Sequence, residues 1–421
     1  NWIQVTQGIE DSPENLVSDM LVGGDNKGDP ELVAIIANGA LDSANWLTYE
    51  GGVSWKHDLM QFGGHNIKRS IIPITHSGSE MTTKLTNRVN GMDDIVLIDN
   101  TKAVELVTDD AGAVTGVKVE NPVTGDTSEV KCKAVVLATG GFGSNVDMRV
   151  KYNPEMDDKI LSTDSVAAQG DGIVMAEKIG AASTHMNFAA VYGYGVPMSK
   201  DKNNRKGWIF RGHVMNLYGS ITLNKEGRRF INDDQNSTKV AQFLASHQER
   251  TVYQLATEAQ LSDFMQNDPI QVIGWDRTKF NQEKEEGGHF INKVNSLEEC
   301  ASEMGCSFDT LKNTIDVYNR SVASGNDEEF GRRFMKGQFL SGPFYLFKCT
   351  PVVGITIGGL KVNQRMQVLN EYGEPISKLF AAGEIVGGLH GTSYIGGCSL
   401  AGALALGRMV GEQLAKNQAA P

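Results

Sequence analysis

Apolar residues fall at helical spacing through the first fifty positions and then switch to alternation. DSPENLVSDMLVGG (11–24) and DPELVAIIANGALDSANWLTYEGG (29–52) each open on a capping Asp or Ser with a proline and close on glycines, which predicts two helices. Residues 101–141 alternate around the turns DDAG and NPVTGD. They predict a three-stranded meander running into a buried strand, AVVLATGG. From about residue 146 the pattern changes to helical windows such as DGIVMAEKIG, broken by aromatic, glycine-bearing loops such as FAAVYGYGVPM. FDTLKNTIDVYNRSVASG places Phe308, Leu311, Ile315 and Tyr318 on one helix face, which is the pattern of core packing. GGLKVNQRMQVLNEYGEPISKLFAAGE then reads as strand, turn, strand, turn and a buried strand. The glycine-rich GLHGTSYIGGCSLAGALALGR leads from it into an apolar helix over 399–416. The pattern predicts an α/β lobe built from 1–145 and 345–421, with 146–344 inserted as an α+β capping lobe.

Charge narrows the partners. Fifty-one acidic residues against 39 basic ones give a net charge of −12, which disfavours nucleic acid and anionic membranes. No apolar run approaches the roughly 20 residues that span a bilayer. The five cysteines (Cys132, Cys300, Cys306, Cys349, Cys398) are scattered without C-x-x-C, so neither a zinc site nor attached haem is expected. The opening residues NWIQVTQGIE look neither like a signal peptide nor like the start of a domain, and the compartment is left open.

Three glycine-bearing segments carry the candidate chemistry: LATGGFGS (137–144), FAAGEIVGG (380–388) and the 388–408 loop. Small residues where a strand ends form the usual crevice for a dinucleotide. The loop feeds a helix start, whose free N–H groups attract electron-rich groups. No Lys-Ser/Thr follows its glycines, so it is not a phosphate loop of the nucleotide-hydrolase kind.

Together with GDG at 170–172, LNKEGRRFIND at 223–233 and VYNRSVASGNDEEFGRRF at 317–334, these segments resemble the fumarate reductase/succinate dehydrogenase flavoprotein superfamily. The nearest likeness is to its single-chain branch of flavocytochrome c fumarate reductases, urocanate reductases and 3-ketosteroid dehydrogenases. The resemblance implies FAD in a Rossmann-like lobe, with substrate held between it and a capping lobe. It assigns Thr139, Gly140, Gly141, Asp171, Gly383, Glu384, His390, Gly396, Gly397, Ser399 and Leu400 to the cofactor. No nicotinamide motif is present, so an external protein or domain is expected to donate electrons.

The sequence departs from the family in two places. No strand with G-x-G-x-x-G precedes Asn1-Trp2, which resemble the residues just after the family's G-G-x-x-A-G-G-M segment. The ADP half of the site is therefore expected from a separate N-terminal FAD-binding piece, or to have been lost by truncation or processing. On the substrate side, the family's dicarboxylate-binding and proton-donating positions fall at Tyr192, His213, Asn216, Ser237, GITIGG (354–359) and Tyr394. A second substrate carboxylate would sit unpaired there, at a cost of several kcal/mol, which argues against fumarate. Tyr192, Tyr194, Tyr218 and Tyr394 suit a neutral hydrophobic substrate with a carbonyl. The TSY run resembles the ketosteroid-dehydrogenase segment in which a tyrosine hydroxyl and a nearby N–H, here that of Cys398, hold a ketone. The leading expectation is thus hydride transfer at flavin N5 to or from the C=C bond of a neutral enone, steroid-like compounds among them. Tyr394 would be the donor, and Tyr192, Tyr218 or Arg211 would serve the α-carbon proton. The alternatives are an enoate reductase of the urocanate/fumarate type, with Arg211 serving one carboxylate, and a non-catalytic subunit that depends on a partner.

Overall fold

The computed structural model describes residues 1–62, 64–75, 77–197, 207–209, 212–233, 240–241, 243–244, 250–267 and 291–419. Chain contacts divide it into two compact units, 1–148 with 167–190 and 355–421, and 149–166 with 191–354. Residues 167–190, inside the segment 146–344, therefore sit with the outer segments.

The first unit starts with helices α1 (Trp2–Thr6), α2 (Pro13–Gly23) and α3 (Pro30–Tyr49). The sequence grammar is realised atom by atom. Ser12 accepts from Asn15 N at 3.3 Å, and Asp29 accepts from Glu31 N at 2.9 Å, each followed by a proline in the first turn. Such caps are worth about 1 kcal/mol. Helix α3 packs along the C-terminal helix (Cys398–Ala419). Their approach is close: a Cβ on Gly39 would lie 2.9 Å from Ala405 Cβ. Val33, Ile36 and Leu47 are buried, each contributing about 1.5–3 kcal/mol.

The meander is present as β1 (Lys102–Thr108), β2 (Val114–Glu120) and β3 (Thr127–Lys131), antiparallel throughout. Strand β4 (Val135–Leu137) pairs in parallel with Pro375–Ala381, in the register Leu379↔Val135 to Ala381↔Leu137. Parallel pairing sends both strands out of the sheet at the same edge, so their glycine-bearing ends emerge side by side.

The second unit centres on the long strand Phe344–Thr356 in a seven-stranded sheet. Helix Phe308–Ser324 buries Leu311, Ile315 and Tyr318, with Phe308 partly buried beside them, as its pattern predicts. Beneath lies a buried ionic network. Arg229 grips Asp327 at 2.8 and 3.0 Å, and Arg332 meets both oxygens of Asp233 at 3.1 Å. Among the described residues, no helix is long and apolar enough to cross a membrane.

Candidate active site at two strand ends and a helix start

The first strand end is built by close packing. A Cβ on Gly141 would lie 1.9 Å from Thr356 Oγ1 and 2.4 Å from Glu384 Oε1, and one on Gly172 would lie 2.2 Å from Thr139 Oγ1. Only glycine fits at either position. The Glu384 carboxylate accepts from Thr356 N at 2.9 Å and from its hydroxyl at 3.0 Å, while Thr356 Oγ1 in turn accepts from Phe142 N. One side chain thereby ties the end of Pro375–Ala381 to that of β4. Burial pushes the Glu384 carboxyl above the usual range, against the pull of the Thr356 bonds. Asp171 heads the helix Asp171–Lys178 and pairs with Lys102 at 3.4 Å.

The loop that follows is clamped onto the α2–α3 turn. Asp29 N donates to Gly388 O at 2.8 Å and Thr392 N to Gly24 O at 3.1 Å. Gly391 has φ +63, and a Cβ there would lie 2.1 Å from Gly24 O, so backbone meets backbone. His390 is buried, and its ring meets Tyr394 edge-on at 6.0 Å. Desolvation lowers this imidazole to about 4, so it is neutral in neutral solution. Gly383, Glu384, His390 and Ser399 line one small pocket together with Thr356. Gly396, Gly397 and Leu400 line a larger cavity of about 300 Å³, walled also by Leu41, Phe62 and Trp55. Cys398 at the helix start is buried, and its thiol is pushed up to about 12, which makes it a packing residue rather than a redox thiol.

A third group escaped the sequence reading. His65 Nε2 lies 2.7 Å from Gly396 O, and His65 Nδ1 lies 2.9 Å from Arg69 Nη1. Arg69 also binds Asp11 at 2.8 and 3.0 Å and Asp19 at 2.5 Å. Arg69 and the aspartates are separated by 50 and 58 residues in the chain, so no periodicity reveals the set. The tripeptide Gly63-Gly64-His65 is the only local signal in the sequence.

The tyrosines divide. Tyr394 is half-buried in the loop. Tyr192 lies in the second unit against Gly354, where a Cβ would come within 2.3 Å of its ring. Tyr218 packs on the second unit's core, edge-on to Phe264 at 5.7 Å. Tyr194 is fully buried there, with its hydroxyl 2.8 Å from Thr222 Oγ1 and 3.1 Å from Asn216 Nδ2. Core packing therefore removes Tyr194 from the substrate surface. Asn216 is likewise committed, since its amide also donates to Asp233 O at 2.8 Å and accepts from Ser220 and Gln254. Arg229 braces its own unit through Asp327. Arg211, Ser237 and the side chain of His213 lie outside the described residues. No cluster of three His, Cys, Asp or Glu side chains able to hold a metal occurs among the described residues.

These features fit a flavin dinucleotide. At one strand end Gly141 has no room for a Cβ, and at the other Gly383 turns the chain at φ +85. A 22-residue helix follows the loop, and the neutral His390 imidazole lines a pocket with Glu384 and Ser399.

Comparison with known proteins gives the same picture. The FAD binding domain family matches residues 2–400. Urocanate reductase from Eggerthella lenta is 38% identical over 99% of this chain and 66% of its own length. The chain thus spans just under two thirds of that relative. The open conformation of a flavocytochrome c3 fumarate reductase superposes with a TM-score of 0.82 at 29% identity, covering 99% of this chain and 69% of that one. A 3-ketosteroid-Δ4-(5α)-dehydrogenase from Rhodococcus jostii superposes at 0.71 with 24% identity, over 97% of this chain and 85% of its own. At that identity the likeness is one of fold.

Proposed function

This chain belongs to the FAD binding domain family, and we propose that it reduces the C=C bond of an α,β-unsaturated acid bearing a single carboxylate, of the urocanate type. The observation that carries the reading is 38% identity along 99% of the chain to a protein named for urocanate reduction. This favours the enoate alternative over the neutral enone. The tyrosines had pointed to the enone through a likeness to ketosteroid dehydrogenases, and that likeness is one of fold. Tyr192 and Tyr394, where the superfamily resemblance places dicarboxylate ligands, still argue against fumarate.

The cofactor would be held by Thr139 to Gly141 at one strand end, Gly383 and Glu384 at the other, and His390 and Gly396 to Leu400 along the loop. FAD, when bound, supplies a hydride to the carbon β to the carboxyl. Arg211 pairs with the substrate carboxylate, on which negative charge grows during transfer. The Tyr394 hydroxyl, protonated in neutral solution, adds a hydrogen bond to the same group. Tyr192 hands a proton to the α-carbon. His390, being neutral, adds no charge that would attract a second carboxylate. Electrons enter from a separate protein or domain.

A panel of urocanate, aryl-acrylates, fumarate and neutral cyclic enones, assayed against a reduced dye, tests the reading. It predicts turnover of urocanate or aryl-acrylates with little of the others. Turnover of enones alone would restore the neutral-substrate reading, and turnover of fumarate would contradict both.

A further inference from the structure

We infer that His65 is a positioning residue that locks the Gly396–Gly397 peptide and so aims the Gly397 N–H, with the start of the C-terminal helix, at the bound flavin; this rests on the cofactor reading above. In a trans peptide the C=O and N–H point in opposite directions. The Gly396 carbonyl is held by His65 Nε2 at 2.7 Å, so the N–H of Gly397 faces away from His65. Among the described residues no protein acceptor takes that N–H. Glycine on both sides leaves this peptide free to turn over, and Gly397 sits at φ +85, so something must hold it.

The surroundings are shaped for the task. A Cβ on Gly396 would lie 2.5–3.0 Å from three atoms of Phe62. Gly64, at φ +95, approaches so closely that its Cβ would lie 2.3 Å from Ile395 Cγ2. Phe62 and Gly64 are thus mated to Gly396 and Ile395. Arg69 fixes the tautomer: it has only N–H donors, so Nδ1 accepts and the ring proton is on Nε2, directed at the carbonyl. Asp11 and Asp19 hold Arg69 in turn. Burial keeps His65 below the ordinary histidine range, against the opposing effect of the Gly396 bond, so the lock does not titrate in neutral solution.

The test compares His65→Ala and His65→Phe, which remove the donor, with His65→Gln, whose amide can donate to Gly396 and accept from Arg69. Three readouts are taken on folded protein: the FAD dissociation constant, the flavin midpoint potential, and hydrogen exchange of amides 395–398. Loss of the donor is expected to weaken binding of reduced relative to oxidised flavin about tenfold. That lowers the two-electron potential by about 30 mV. Exchange over 395–398 should quicken about tenfold, and Gln should restore most of both. Unchanged potential and exchange in the Ala and Phe variants would overturn the lock. If the wild-type chain binds no FAD, the cofactor reading fails, and exchange alone still decides the lock. Should Ala not fold, Phe keeps the ring volume and carries the comparison.

Discussion

Replacing His390 with Gln tests the dry, neutral character of the cofactor loop through the acid limb of stability. The imidazole is lowered from an ordinary 6.5 to about 4 by desolvation. Between those values the unfolded ring binds a proton that the folded ring refuses. Stability contributed above pH 6.5 is therefore lost as pH falls toward 4. At 1.36 kcal/mol per pH unit the loss comes to about 3 kcal/mol. Gln occupies a similar volume without titrating, so His390→Gln should flatten the acid limb by that amount while lowering stability at pH 7.5 by a constant offset. His65 and His185, also held below the ordinary range by burial, retain their own share of the slope. Equilibrium urea unfolding at pH 7.5, 6.5, 5.5 and 4.5 measures it. Parallel pH profiles for wild type and variant would refute the reasoning, because a simple packing loss shifts stability without changing its slope.

Three further outcomes follow from the geometry. Gly141→Ala drives a methyl to 1.9 Å from Thr356 Oγ1; it should cost about 2–4 kcal/mol by overpacking and broken carboxylate bonds, seen as a lower melting temperature and weaker flavin retention. Asp327→Asn leaves the buried Arg229 charge with Asp233 at 3.5 Å and the half-exposed Glu329 at 3.9 Å, and should destabilise by about 3 kcal/mol in urea. Tyr394→Phe should slow turnover at least about tenfold with flavin content unchanged, and unaltered turnover would remove Tyr394 from the chemistry.

Local signals made much of the first unit legible. Ser12 and Asp29 cap the helices that their spacing foretold, and the meander turns fall at DDAG and NPVTGD. The two glycine-bearing strand ends were readable because parallel strands are short apolar runs closed by small residues. Contacts distant in sequence were not readable. The Thr356–Glu384 tie and the Asp11–Arg69–His65–Gly396 chain join residues with no shared periodicity. Tyr194 shows the converse: its aromatic, glycine-rich surroundings suggest a binding surface, and only the packed structure places its hydroxyl among Thr222 and Asn216. Composition can also overstate order. Ile95 to Ile98 are four consecutive apolar residues, yet they are 43–80% exposed and belong to no described strand.

The most direct test of the central claim is single-turnover reoxidation of the reduced flavoprotein in the absence of oxygen. The flavin is bleached with reductant, and urocanate, an aryl-acrylate, fumarate and a neutral cyclic enone are then added in separate runs. The account predicts that the oxidised flavin spectrum returns with urocanate or an aryl-acrylate and stays bleached with the other two. Return of the spectrum with the enone or fumarate, and none with a monocarboxylic enoate, would contradict it.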